Sequence, residues 1–365
     1  MSMVKIKLNN IEIEAEEGLT ILDVAKKAGF NISTLCHNEG LPHYSSCMVC
    51  MVKDKFKNNF IPSCSALIQD GMDIDISGEE VISLRRKAIE MLLSEHRAEC
   101  EAPCKVVCPA GYNIPVINRF LSANDFEGAT SLLSATLGSS GIMCTTCPGY
   151  CENACRRKKV DTPVSIRNLL LHISLRANQD KPSNEIDDRH TGNEIDIHKD
   201  SISGKLPKRF SSHIGRLEIS ELQEWLKEST ANARRSMEIT SPDLAALEAG
   251  SCMHCDCRAA EYCKLREIAE EYSVKDPRGK LVNSPIVKKI NHNTGLIFEN
   301  AKCIKCGLCV RLCEDSKEEP ALCFIHRGFV SIISEPLTEE FDNILKSNSK
   351  DVIDICPTGA LSQMK

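Results

Sequence analysis

The chain has 365 residues, long enough for roughly two to four domains. Apolar residues make up 42% of it, a globular balance, and 45 basic against 51 acidic side chains give a net charge of −6, which excludes the broad basic surface that a nucleic-acid partner requires. No apolar run reaches the ~18 residues that cross a bilayer, and the opening MSMVKIKLNN lacks an apolar signal core, so a cytoplasmic protein with no transmembrane segment is expected.

In chain order, Val4 to Leu8 and Ile11 to Glu14 alternate as two strands joined by an Asn9-Asn10 turn. Thr20 caps a short helix that stops at Gly29, and strands return at Met48 to Lys53 and Met72 to Ile76. From Glu79 the period becomes helical, with Val81, Leu84, Ala88 and Leu92 on one face and the run ending at His96. Residues 113–137 and 163–176 also read as helices. A polar stretch without period follows over 177–240, read as a linker or surface wrap with one short helix near Ser220 to Ser229. Residues 241–365 are expected to form another compact α+β unit.

Cysteine is the outlier: 21 residues, nearly all within a few positions of another. A reducing compartment keeps thiols free, so this density argues for metal rather than disulfides. The first group is Cys36, Cys47, Cys50 and Cys64, four thiols able to ligate the two irons of a 2Fe-2S cluster. Zinc also takes four thiolates, but its sites usually pair two close dyads, and here Cys36 and Cys64 stand alone. The strongest single signal is CIKCGLCVRLC, in which Cys303, Cys306 and Cys309 share one tight turn. Gly307 lets the backbone approach a cubane there, and Cys356 is available as the remote fourth ligand. Cys313 occupies the position that in two-cluster ferredoxins ligates a second cluster, and Cys323 reads as a buried thiol. Cys252, Cys255, Cys257 and Cys263 crowd into twelve residues as a further metal site, either 4Fe-4S or zinc. His254 reads as a neighbour of that site or a surface residue.

The spacing of Cys36, Cys47, Cys50 and Cys64 on a sheet with one helix resembles the N-terminal 2Fe-2S module of the large iron–sulfur subunit of NADH:quinone oxidoreductase and of iron-only hydrogenases. The match departs at Ser45-Ser46-Cys47-Met48, where the family has Gly-x-Cys-Arg. It continues into RRKAIEMLLSEHRAEC, where the family carries a helix ending in His-x3-Cys whose histidine is a cluster ligand. Read on spacing alone, His96 is either that ligand or a helix-end cap.

The segments CEAPCKVVCPAGYNIPVINRFL and GIMCTTCPGYCENACRR are similar to the helical di-cluster domain of the glutamate synthase small subunit and of dihydropyrimidine dehydrogenase. Their seven cysteines, Cys100, Cys104, Cys108, Cys144, Cys147, Cys151 and Cys155, cannot fill two four-ligand cubanes, whereas seven plus His96 can. The resemblance implies one cluster on His96, Cys100, Cys104 and Cys155 and another on Cys108, Cys144, Cys147 and Cys151. The run Arg156 to Lys159 reads as a solvated basic face, placed where it can also offset thiolate charge.

The implied fold class is α+β multi-domain. It comprises a β-grasp 2Fe-2S ferredoxin-like domain (1–78), an α-helical di-cluster domain (79–176), the polar linker (177–240) and a bacterial-ferredoxin-like 4Fe-4S domain (241–365). The implied cofactors are one 2Fe-2S and three to four 4Fe-4S clusters. The sequence shows no Gly-x-Gly-x-x-Gly after a strand, no Walker-type loop and no Ser/His/Asp arrangement. The expected role is therefore the electron-transfer wire of a multi-subunit NAD(P)H-linked oxidoreductase, without its own substrate or nucleotide site. Its expected partners are a flavoprotein that oxidises NADH or NADPH and a terminal reductase or hydrogenase subunit. A stand-alone diffusible carrier and a partly zinc-loaded scaffold are the alternatives.

Overall fold

A computed structural model describes residues 2–97, 99–137, 142–179, 219–229, 238–274 and 286–364. Most of the expected linker lies outside the described residues. The chain divides into two units: one contains 1–98 together with 258–364, and the other spans 99–257.

The first unit opens with β1 (Met3–Leu8) and β2 (Ile11–Glu16), paired antiparallel from Met3 opposite Glu16 to Leu8 opposite Ile11. Asn9 and Asn10 both take positive φ, 49° and 70°, as the tightest hairpin turns demand. Strands β3 (Met51–Asp54), β4 (Asn59–Pro62) and β5 (Asp73–Asp75) complete a five-stranded sheet of order β2-β1-β5-β3-β4, with β1 and β5 parallel. Val4, Ile6 and Leu8 of β1 turn inward and meet Ile21, Val24 and Ala25 of the helix Ile21–Lys27. Thr20 starts that helix with a reciprocal capping box to Asp23. The helix Glu79–Glu95 packs on β3 and on the helix Lys264–Glu271 of the same unit. There the buried Arg85 donates to Met51 O at 2.8 Å and to the Tyr272 hydroxyl at 3.1 Å.

The later part of this unit holds β6 (Lys288–Asn291), β7 (Leu296–Glu299), β8 (Cys323–Ile325), β9 (Ile332–Ser334) and β10 (Leu361–Gln363). They form a three-stranded sheet of order β10-β7-β6 and a separate β8-β9 pair. Leu296, Phe298, Val310, Ile344 and Val352 make its core with Cys309 and Cys313.

The second unit is helical. The single helix expected over 113–137 is two, Ile114–Ser122 and Phe126–Leu137, broken where Asn124 takes φ 60°. The helix Ile166–Gln179 and the helix Pro242–Ala249 pack with them. Residues 241–257, read from sequence as the start of the C-terminal part, lie in this helical unit, and the helix Glu79–Glu95 lies in the other. The buried Glu248 accepts the Ser165 backbone N–H at 2.7 Å, and Ser251 O accepts from Arg157 at 3.0 Å, so the returning segment is fastened by paired polar groups.

Candidate metal centres

All 21 cysteines are free of disulfides, and most are buried. Cys36, Cys47 and Cys50 lie on the loop before β3, and Cys64 follows β4. Their sulfurs meet: the Cys36 thiol touches those of Cys47 and Cys64, and Cys50 touches Cys64. These contacts hold Cys36 far below the ordinary thiol range and push Cys47 and Cys64 far above it, because crowded thiols ionise one at a time. Ser45 takes φ 49°, the left-handed region that glycine enters freely. In return its hydroxyl lies 3.6 Å from the Cys64 sulfur and 2.8 Å from Ser65 Oγ.

Cys303, Cys306 and Cys309 occupy the turn into the helix Leu308–Ser316, and Cys356 ends the helix Ser349–Ile355. The four line one hollow. Burial, with the nearby sulfurs adding to it, pushes Cys303 up to about 12 and Cys309 well above its ordinary value. Gly307 has φ 72°, and a Cβ placed on it would stand 3.0 Å from the Tyr44 ring, so a side chain there would be both strained and crowded. Cys313 lines a different cleft together with the half-buried Cys323.

Arg311 joins these two loops. It is 1% exposed, and its guanidinium donates to Cys36 O at 2.8 Å, to Cys306 O at 3.2 Å and to Pro42 O. The same group lies over the Tyr44 ring, 4.5 Å from its centroid. Sequence pattern marks neither Arg311 nor Tyr44, since each is a lone residue whose partners are remote.

His96 caps the helix Glu79–Glu95 and is buried. Its Nδ1 lies 2.8 Å from Lys302 O, an acceptor, so Nδ1 carries a hydrogen, an orientation in which metal ligation would fall to Nε2. Thr358 donates to the same carbonyl at 2.8 Å. The Cys263 sulfur lies 3.7 Å from Pro357 O in this unit.

In the helical unit, Cys144 is near Cys108 and Cys147, and Cys151 is near Cys108 and Cys144. Burial pushes Cys144 to about 11 and Cys151 to about 12. Gly149, at φ 82°, donates its N–H to the Cys147 sulfur at 3.5 Å. Cys104 and Cys155 line a second hollow with Cys252 and Cys255. Cys100 O accepts the Cys257 N–H at 3.2 Å. The resemblance implies one set with Cys104 and Cys155, and spacing another with Cys252 and Cys255; the structure brings these four together. Among the described residues no three such side chains close around a single ion, and the thiols ring hollows instead.

The basic run after Cys155 is not a solvated face throughout. Arg156 and Arg157 are buried, while Lys158 and Lys159 are exposed. Arg156 pairs with the buried Glu99 at 3.3 Å, lies over Trp225, and lowers the Cys255 thiol against the effect of burial. Arg119 makes a two-pronged pair with the buried Asp256 at 2.9 and 2.7 Å, beside Cys255.

Three family models match the chain. Residues 1–78 match the 2Fe-2S iron-sulfur cluster binding domain, residues 85–181 match dihydropyrimidine dehydrogenase domain II, 4Fe-4S cluster, and residues 296–362 match the ferredoxin-like domain of NADH-quinone oxidoreductase subunit 3. The resemblances read from the motifs are those the family models find. Among curated proteins, the NADP-reducing hydrogenase subunit HndD of Solidesulfovibrio fructosivorans is 36% identical over 105 residues, 27% of this chain and 18% of that protein. An NADH-quinone oxidoreductase subunit of Rhizobium meliloti is 30% identical over 98 residues, covering 27% of this chain and 12% of its own. The gamma subunit of the NAD-reducing hydrogenase HoxS of Cupriavidus necator is 29% identical over 97 residues, 27% of this chain and 41% of its own length. The chain thus spans less than half of each relative. The crystal structure of NAD+-reducing NiFe-hydrogenase in the H2-reduced state aligns with 99% of this chain and 87% of its own, at 14% identity and a TM-score of 0.49. The chain thus carries segments matching 2Fe-2S and 4Fe-4S cluster-binding domains. Among the described residues no helix is long and apolar enough to cross a membrane.

Proposed function

We propose that this chain is the iron–sulfur wire of a multi-subunit NAD(P)H-linked oxidoreductase, carrying one 2Fe-2S and four 4Fe-4S centres. Each bound centre supplies a one-electron step at a potential set by its ligands, hydrogen bonds and burial. The observation that carries the reading is Arg311, whose guanidinium bonds the Cys36 and Cys306 carbonyls and so fixes the first ferredoxin-like loop against the second. A carrier built of independent beads needs no such tie; a conductor does.

The donors proposed for the 2Fe-2S centre are Cys36, Cys47, Cys50 and Cys64, and those for the C-terminal cubane are Cys303, Cys306, Cys309 and Cys356. Cys108, Cys144, Cys147 and Cys151 are proposed for one helical cubane. His96 is proposed as a ligand through Nε2, with Lys302 O orienting the ring. The expected partners are a flavoprotein that oxidises NADH or NADPH and a terminal reductase or hydrogenase subunit; the relatives named as NAD- and NADP-reducing hydrogenases are linked to the same nucleotides.

The test is a reductive titration of the anaerobically purified chain. It should take up about five electrons, one for each centre. NADH should bleach its visible absorbance only when the flavoprotein subunit is added. Uptake of about one electron overturns the reading, as does direct bleaching by NADH.

A further inference from the structure

We propose that Cys104, Cys155, Cys252 and Cys255 hold one four-iron centre inside the helical unit, with the Asn118 side-chain amide donating a hydrogen bond into it. The proposal rests on the iron–sulfur reading above and gives that reading a ligand set different from both the one the resemblance implies and the one read from spacing.

The four cysteines come from three stretches of chain, yet they line one hollow together with Asn118. Every pair among them is close enough for the charge of one to bear on the other. The Cys252-x2-Cys255 dyad is the spacing with which ferredoxin loops present two thiolates to one cubane. Cys104, Cys252 and Cys255 are buried and Cys155 is partly so, as a site that excludes water requires.

The surroundings fit an anionic guest. Four thiolates need positive charge or donors nearby, and Arg156 faces Cys255 from within the same hollow. Asn118 is 2% exposed, and its Nδ2 finds no regular hydrogen-bond partner, although its amide lies beside the Cys252 sulfur and lowers that thiol against burial. A buried donor left without a partner costs about 1–3 kcal/mol, so such groups point to something that satisfies them. A sulfur of a bound cubane does so. The dyad itself is pinned by the Arg119 pair with Asp256 and by the Cys257 N–H on Cys100 O.

The experiment uses the full chain purified anaerobically with its iron. Cys104→Ala, Cys155→Ala, Cys252→Ala and Cys255→Ala are each compared with wild type by iron analysis and by EPR after dithionite reduction. All four should lose the same EPR signal and about four irons, and the double variant C104A/C255A should lose no more than either single one. Loss of different signals on the two sides, or full iron in the Cys252 and Cys255 variants, overturns the ligand set. Iron missing from the wild-type protein instead overturns the wire reading itself. Two milder variants keep the test open where alanine impairs folding. Cys255→Ser, whose oxygen still ligates iron, should alter that one signal and leave the rest. Asn118→Leu should keep the iron and move only that signal's midpoint to a more negative potential; an unchanged midpoint removes Asn118 from the proposal.

Discussion

The two units gather their cysteines in opposite ways. In the ferredoxin-like unit each proposed set is local, as Cys303 and Cys306 sit on the turn into one helix and Cys309 in its first turn, with a single remote partner. In the helical unit Cys104 and Cys155 meet Cys252 and Cys255 across about a hundred residues of chain. The first arrangement is written into local spacing and needs only a permissive backbone, such as Gly307 at φ 72°. The second depends on tertiary fastening, and that fastening is electrostatic: Arg119 with Asp256, Arg156 with Glu99, and Glu248 on the Ser165 N–H. A locally coded site should therefore outlast damage to its surroundings, and an assembled one should not.

The contrast can be broken most strongly at Asp256. Asp256→Ala leaves Arg119 buried without its counter-charge, a loss of about 3–5 kcal/mol. The assembled helical centre should go with it, while the 2Fe-2S EPR signal persists. Urea unfolding followed beside EPR checks both halves, and loss of the 2Fe-2S signal in step with the helical one would show that the units do not differ in this way.

A smaller effect is expected at Arg311, the tie between the two loops of the ferredoxin-like unit. Arg311→Leu strips donors from the Cys36, Cys306 and Pro42 carbonyls and should cost about 2–3 kcal/mol, the scale of a charged hydrogen bond left unmade. Both clusters should still assemble, because their ligands are local, but the exchange of electrons between them should slow in freeze-quench EPR. Arg311→Lys should not rescue it, since an ammonium cannot reproduce the planar fork.

The smallest effect concerns Ser45, held at φ 49° with its hydroxyl 3.6 Å from the Cys64 sulfur. Ser45→Gly should gain about 1 kcal/mol by relieving the left-handed backbone. The same change removes a polar group from beside that sulfur and should move the 2Fe-2S midpoint to a more negative potential, read by redox titration.

This contrast also separates what the sequence reveals from what it hides. The hairpin, the capped helix after Thr20 and the helix from Glu79 follow from alternation, capping and period, and they stand within a few residues of expectation. Strand β4 escapes because Asn59–Pro62 is half exposed and carries little apolar signal. The cysteine groups at 36–64 and 303–356 are legible because their ligands lie close in sequence. The meeting of Cys104 and Cys155 with Cys252 and Cys255 is not, since spacing says nothing of where a chain returns after a long polar stretch. Arg156 and Arg157 mislead for a related reason: a basic run reads as surface when Glu99 and Trp225, its partners, lie more than fifty residues away on either side.

The most direct test of the central claim is the metal content of the full chain isolated without oxygen. The two proposed helical sets and the two proposed ferredoxin-like sets account for three cubanes and one 2Fe-2S centre. Outside those sets remain His96, Cys100, Cys257, Cys263, Cys313 and Cys323, from which the fourth proposed cubane would draw its ligands. The account predicts about 18 irons per chain with matching acid-labile sulfide and negligible zinc. A value near two irons, or zinc exceeding iron, would contradict it.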